Sequence, residues 1–169
     1  MNNINLGLIE KTRGEIVRGE FPVKKEFVVE GRWLYTEEGQ FEAEVEYPAG
    51  KLRMVTDQPP PSGGRGKAPN AVQYCVFAMV ACFATTYMTI AAGRGVKITA
   101  LKARGATVVN MKSVLDLEQG KPVEKVWVEL QVESSASRDE LEEILREANV
   151  KCPAAYTVQN SVPFESRLI

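Results

Sequence analysis

The chain is 169 residues long, 44% hydrophobic and 25% charged, with a formal net charge of -1 and a pI near 5.7. That length suffices for one well-filled core, or for a subunit that completes its core by pairing. The absence of a basic excess argues against a general nucleic-acid binder, and the absence of histidine excludes Ser-His-Asp and Cys-His catalysis, an imidazole base and every His-containing metal site.

In chain order, residues 5–19 predict a short amphipathic helix in which Leu6, Leu8, Ile9, Ile16 and Val17 loosely follow the helical period. The N-terminus lacks the basic start, apolar run and small-residue cleavage site of a secretory signal, so a cytoplasmic location is expected. Three strands come next: "KKEFVVEGRWLY" (24–35), "QFEAEVEYP" (40–48) and "GKLRMVTD" (50–57), separated by turn signals at "TEEG" and "PAG". Alternation in the second puts Phe41, Ala43, Val45 and Tyr47 on one face and glutamates on the other, as a half-exposed antiparallel strand requires. "QPPPSGGRGKAPN" (58–70) reads as an extended connector with no regular element. Residues 71–93, "AVQYCVFAMVACFATTYMTIAAG", predict a helix of roughly 35 Å. Residues 94–116 contain a strand, "PVEKVWVELQVES" (122–134) is another, and "EQGK" between them marks a hairpin tip. "SRDELEEILREANV" (137–150) is a helix, with Ser137 and Glu140 as its capping box and Leu141, Ile144, Leu145 and Ala148 along one face. A short helix starts within "KCPAAYTVQ", and "SVPFESRLI" (161–169) predicts a last strand. The order βββ-α-ββ-α-α-β is that of an α+β fold in one domain, without internal repeats.

The uncharged stretch 71–93 is long enough to cross a bilayer. Its composition is wrong for that task, with no leucine, one isoleucine, six alanines, three threonines and Gln73, and basic residues lie on both flanks. A helix apolar all round is then the central helix of a core, and no membrane partner is expected. Three cysteines, at 75, 82 and 152, lack the paired spacing of a zinc site. Cys75 and Cys82, two turns apart on one helix face, have α-carbons separated by about 10 Å, whereas a disulfide needs roughly 4.4 to 6.8 Å. They cannot pair with each other, so any disulfide joins one of them to Cys152. Pro153 places Cys152 at a helix N-cap, where the dipole favours a thiolate; the other reading is a cysteine that happens to precede a turn.

Two stretches carry a family pattern. "VTDQPPPSGGRGKAPNAVQYCVFAMVAC" has a strand ending in Asp, a Gly-Gly connector, a proline-containing helix start and a helical cysteine. "DELEEILREANVKCPAAYTV" follows with a Cys-Pro pair after an amphipathic helix. Over residues 26–168 the sequence resembles the osmotically inducible and organic hydroperoxide resistance proteins (the OsmC/Ohr family), as a single OsmC-like domain spanning 1–169 with residues 1–24 as an N-terminal extension. The resemblance implies antiparallel sheets wrapped around long central helices in an intertwined homodimer. It also implies a cysteine-based peroxidase of organic hydroperoxides, with Cys82 peroxidatic, Cys152 resolving, an external dithiol as reductant, and neither cofactor nor metal. In such proteins an arginine from the N-terminal strands supports the thiolate, and here Arg32 is favoured over Arg53. The family's acidic residue near the helix start, which holds that arginine, is replaced by Ala71, Val72 and Gln73; a glutamine can hydrogen-bond a guanidinium but cannot balance its charge. The alternative is a divergent, non-catalytic member that binds a small apolar ligand at the dimer interface. Cys75 is expected to be a small buried residue, Trp33 and Trp127 core or rim residues, and the "GRGKAP" loop a solvated one, lacking a phosphate-binding spacing.

Overall fold

The computed structural model describes residues 1–168. Helix α1 (Leu6–Val17) is opened by Asn5, whose side-chain oxygen accepts from the Leu8 N–H at 3.2 Å, and it buries none of its residues. Strands β1 (Glu30–Trp33), β2 (Phe41–Tyr47) and β3 (Gly50–Thr56) form an antiparallel sheet in the order β1-β2-β3. Helix α2 is Ala71–Gly93, as expected. Strands β4 (Ile98–Val109) and β5 (Val123–Ser134) pair antiparallel and flank the one-turn α3 (Met111–Val114). Helices α4 (Arg138–Lys151) and α5 (Pro153–Gln159) follow. The chain divides into two compact units, Thr12–Cys75 and a second made of Met1–Lys11 with Val76–Ile169.

In the first unit, register follows from alternation. Arg32 faces Glu42, Arg53 faces Glu44 and Lys51 faces Glu46, so charge collects on one side of the sheet and Phe41, Ala43, Val45 and Tyr47 lie on the other. The strand expected over 24–35 shrinks to Glu30–Trp33. A strand persists only where a neighbour supplies its ladder; Phe27, Val28 and Val29 have no paired neighbour among the described residues and are exposed. The connector is more ordered than its prolines suggested, with a 3-10 turn at Pro60–Ser62. Asp57, 1% exposed, organises it by accepting from the N–H groups of Arg65 (3.1 Å) and Lys67 (2.9 Å). The Lys67 N–H, against the opposing effect of burial and with help from the Arg65 N–H, holds that carboxyl below its ordinary range. At Gly64 a β-carbon would stand 1.9 Å from the Gln58 carbonyl oxygen, so this close approach requires glycine.

The second unit is built on α2. Its C-terminus closes with Gly95 left-handed at φ 74°, the Gly95 N–H donating to Ala92 O at 3.0 Å and the Val96 N–H to Ala91 O at 2.9 Å, a Schellman cap. The side chain of Asn2 then pins the N-terminus to the entry of β4, donating to Val96 O (2.8 Å) and accepting from the Ile98 N–H (2.9 Å). The core joins Phe83, Tyr87 and Ala91 of α2 to Val96, Ile98, Ile144, Ala148, Cys152 and Ala155. Gly105 of β4 lets α2 approach closely, since a β-carbon there would lie 2.2 Å from a Val80 methyl. Helix α2 has the length and apolarity to cross a membrane, yet Phe83, Tyr87, Ala91 and Ala92 are buried within the protein. Its first turns are open instead, with Phe77 69% exposed.

Ser137 caps α4 through the Glu140 N–H at 3.2 Å, the pair expected from sequence. Two expectations fail. The β4–β5 connection carries α3, whose single turn is nucleated by the Asn110 side chain accepting from Lys112 and Ser113 N–H groups; four residues are too few for a periodic signal. The expected last strand does not form over 161–168, where Val162, Phe164 and Leu168 are exposed and no neighbouring strand pairs with them among the described residues. Ile169, its final residue, lies outside the described residues.

Candidate active site

Pro153 shapes the site. The residue before a proline avoids the helical region, and Cys152 is extended at φ -73°, ψ 117°. It therefore both ends α4, donating its N–H to Ala148 O at 2.9 Å, and begins α5, its carbonyl accepting from the Tyr156 N–H at 2.9 Å. The break turns the Cys152 side chain inward, where it is fully buried and its sulfur accepts from the Ala155 N–H at 3.5 Å. From the other side, α2 presents Cys82, half-buried. The two sulfurs lie 3.4 Å apart although seventy residues separate them in sequence. Both cysteines are free thiols, at a separation from which a bond of about 2.05 Å needs only a small movement.

Burial pushes the Cys82 thiol up, and the Cys152 sulfur beside it adds to that; the Ala154 N–H and the Thr86 hydroxyl act in the opposite direction. A cavity of about 200 Å³ adjoins the pair. Met79 and Phe83 of α2, Val126, Trp127 and Val128 of β5, and Ala155 and Val158 of α5 give it an apolar lining, with Asn149 and Gln159 adding carboxamides. Trp127 thus sits at a cavity wall, while Trp33 is 54% exposed on its strand.

The remaining expected residues belong to the sheet unit. Arg32 donates from Nε to Glu42 Oε1 at 2.8 Å, and Arg53 donates from Nε to Glu42 Oε2 at 2.8 Å. Arg53 also reaches Glu38 at 3.3 Å. Hydrogen bonds from Arg32 and then Arg53 hold the Glu42 carboxyl below its ordinary range. Glu42 was missed by sequence reasoning, although the alternation that puts glutamates on one face of β2 already set it opposite Arg32. Gln73 has a local task. Its side-chain oxygen accepts from the Asn70 N–H while its own N–H donates to the Asn70 side chain, both at 2.9 Å, which is a reciprocal cap on α2. The oxygen that would receive an arginine is thereby engaged. Cys75 is exposed, contrary to the expectation of a buried residue, because it lies on the open face of the first turns of α2.

A family model described as OsmC-like protein matches residues 64–167. Among solved structures, an OsmC-like protein from Mycoplasma pneumoniae aligns with a TM-score of 0.62 at 15% identity, over 82% of this chain and 91% of its own. An OsmC-like protein of unknown function from Vibrio cholerae gives 0.60 at 17% identity, over 80% and 95%. An organic hydroperoxide resistance protein OsmC from Legionella pneumophila gives 0.58 at 18% identity, over 80% and 92%. At these identities the likeness is one of fold, mixed helix and antiparallel sheet. Among curated proteins, sequence comparison finds no match.

Proposed function

The chain belongs to the OsmC-like family, and from that premise we propose that it is a thiol-dependent peroxidase reducing organic hydroperoxides through Cys82 and Cys152. The observation that carries the reading is the 3.4 Å separation of the two sulfurs. Structural neighbours named organic hydroperoxide resistance proteins support a redox role. The Cys82 thiolate attacks the distal peroxide oxygen, the O–O bond breaks, and the departing alkoxide takes a proton to leave as alcohol. Cys82 is then a sulfenic acid; Cys152 displaces its hydroxyl as water, forming a disulfide. An external dithiol returns both thiols by exchange and is itself oxidised to a disulfide. The apolar cavity beside the pair suits the organic part of the substrate. Since burial disfavours the thiolate, a cation is needed, and we assign that role to Arg32.

A second reading, a ligand-binding relative without turnover, is favoured by the same upward push on Cys82 and by the engagement of Gln73 in capping. One experiment separates the two. After one equivalent of cumene hydroperoxide, peptide mass mapping should find a Cys82–Cys152 disulfide within seconds. Thiols that survive an excess of peroxide for many minutes would leave only the ligand-binding reading.

The intertwined homodimer belongs to the same proposal. Val72 (40%) and Phe77 (69%) of α2, and Trp33 (54%), Tyr47 (52%) and Leu52 (55%) of the sheet are exposed apolar surface in the single chain, more than a stable soluble monomer usually displays in continuous patches. A second copy would cover it. Sedimentation velocity at micromolar concentration should give one species near twice the mass of the chain, and a clean monomer would contradict the proposal.

A further inference from the structure

Thr86 stands one turn beyond Cys82 on α2, the i+4 position on the same face. Its hydroxyl donates to the Cys82 carbonyl at 2.9 Å. That carbonyl already receives the Thr86 backbone N–H as part of the helix ladder, so the hydroxyl bond is a second, dispensable one. The same hydroxyl is within hydrogen-bonding reach of the Cys82 sulfur. A hydroxyl hydrogen rotates freely to the stronger acceptor, and a sulfur anion is a stronger acceptor than a carbonyl already bonded.

We propose that Thr86 is a catalytic residue that turns its hydroxyl from the Cys82 carbonyl to the Cys82 sulfur when the thiolate forms. The residue touches the reacting atom, and no backbone group is left unsatisfied by the turn. Its contribution opposes the burial that disfavours the anion, as does the Ala154 N–H. The titratable group pressing on Cys82 from the α4–α5 junction is Cys152, 3.4 Å away, and Thr86 contributes a donor without adding charge. Thr85 is exposed and Thr89 is seven residues on, so neither duplicates the placement. In the proposed reaction this donor holds the anion before attack; the proposal rests on that reading for its catalytic meaning but not for its measurement.

The test is the pH profile of Cys82 alkylation by iodoacetamide, in a Cys75→Ser background with peptide-resolved mass spectrometry. Loss of a hydrogen bond to an ion in Thr86→Val should raise the Cys82 pKa by about one unit. The thiolate fraction at neutral pH then falls about tenfold, while each thiolate becomes about threefold more nucleophilic, so alkylation slows by about threefold. Thr86→Ser, which keeps the hydroxyl, should stay near the parent; Thr86→Ala should behave like Thr86→Val if either variant folds poorly. An unchanged profile in the valine and alanine variants overturns the proposal, and so does an equal shift in the serine variant, which would report packing alone. Should the parent form no disulfide with hydroperoxide while the shift still appears, the peroxidase reading fails and the role of Thr86 toward the anion stands. With a disulfide but no shift, the reverse holds.

Discussion

Cys82→Ser is expected to remove hydroperoxide reduction by at least about a thousandfold, the scale on which deleting an enzyme's nucleophile acts. A serine hydroxyl in the same bed is not ionised near neutral pH and cannot attack the peroxide oxygen as the thiolate does. Cys152→Ser should behave differently, and the contrast is the sharper half of the prediction. The first equivalent of peroxide is consumed at close to the parental rate, because the attacking thiol is intact, and turnover then stops at the sulfenic acid. With no resolving sulfur 3.4 Å away, further peroxide drives Cys82 to sulfinic and sulfonic acids, visible as added oxygen on the Cys82 peptide. If both variants keep the parental turnover, or if Cys152→Ser loses the first equivalent as fully as Cys82→Ser, the assignment of roles is wrong.

Gly105→Val is expected to be the most damaging single change outside the thiol pair. A β-carbon at this position would meet the Val80 Cγ2 methyl at 2.2 Å, the Trp127 carbonyl oxygen at 3.4 Å and the Val76 Cγ1 methyl at 3.5 Å. Val80 is β-branched and held near one rotamer in a helix, so the contact is not relieved by swinging a flexible chain end; α2 must lift from β4. Overpacking of this kind costs about 1–3 kcal/mol even for one added methyl. The intrinsic strand preference of valine over glycine returns at most about 1 kcal/mol, so the clash wins. Val80→Ala should restore much of the loss in the double variant, because it removes the methyl that is struck. Urea denaturation of the parent, both single variants and the double variant measures this coupling. A Gly105→Val protein as stable as the parent, or a double variant no better than the sum of its parts, would mean that α2 is not seated on this glycine. Because Val80 lies two residues before Cys82 on the same helix, the lifted helix should also slow disulfide formation with Cys152.

What could be read from the residues divides along physical lines. Helix α2 was legible to its exact ends because its charges stop and start abruptly, and α4 because Ser137, Glu140 and its apolar face agree. The pairing of Cys82 with Cys152 was legible only through the order of motifs. No local rule brings residues seventy apart to 3.4 Å; the proline-enforced break at Cys152 is local, but the core that seats it is not. The strand ends failed for the opposite reason. Residues 24–29 and 161–168 have strand-like composition, yet pairing depends on a neighbour that composition does not supply. Gln73 was singled out for what it lacks relative to the family, whereas its observed hydrogen bonds form a helix cap with Asn70, a use that the spacing of the two residues already permitted.

The shared carboxylate of Glu42 has a consequence for any attempt to identify the arginine by substitution. Arg32 and Arg53 are bound to opposite oxygens of one side chain, so their energetic effects are not additive. Removing either frees an acceptor that the survivor can take up, and the survivor's own hold, charge environment and reach change in response. A silent Arg32→Ala therefore does not clear Arg32, nor does a damaging Arg53→Ala implicate Arg53. The interpretable quantity is the interaction energy from the full square of single and double substitutions, repeated with Glu42→Gln, because the two guanidiniums are read out through the acid they share.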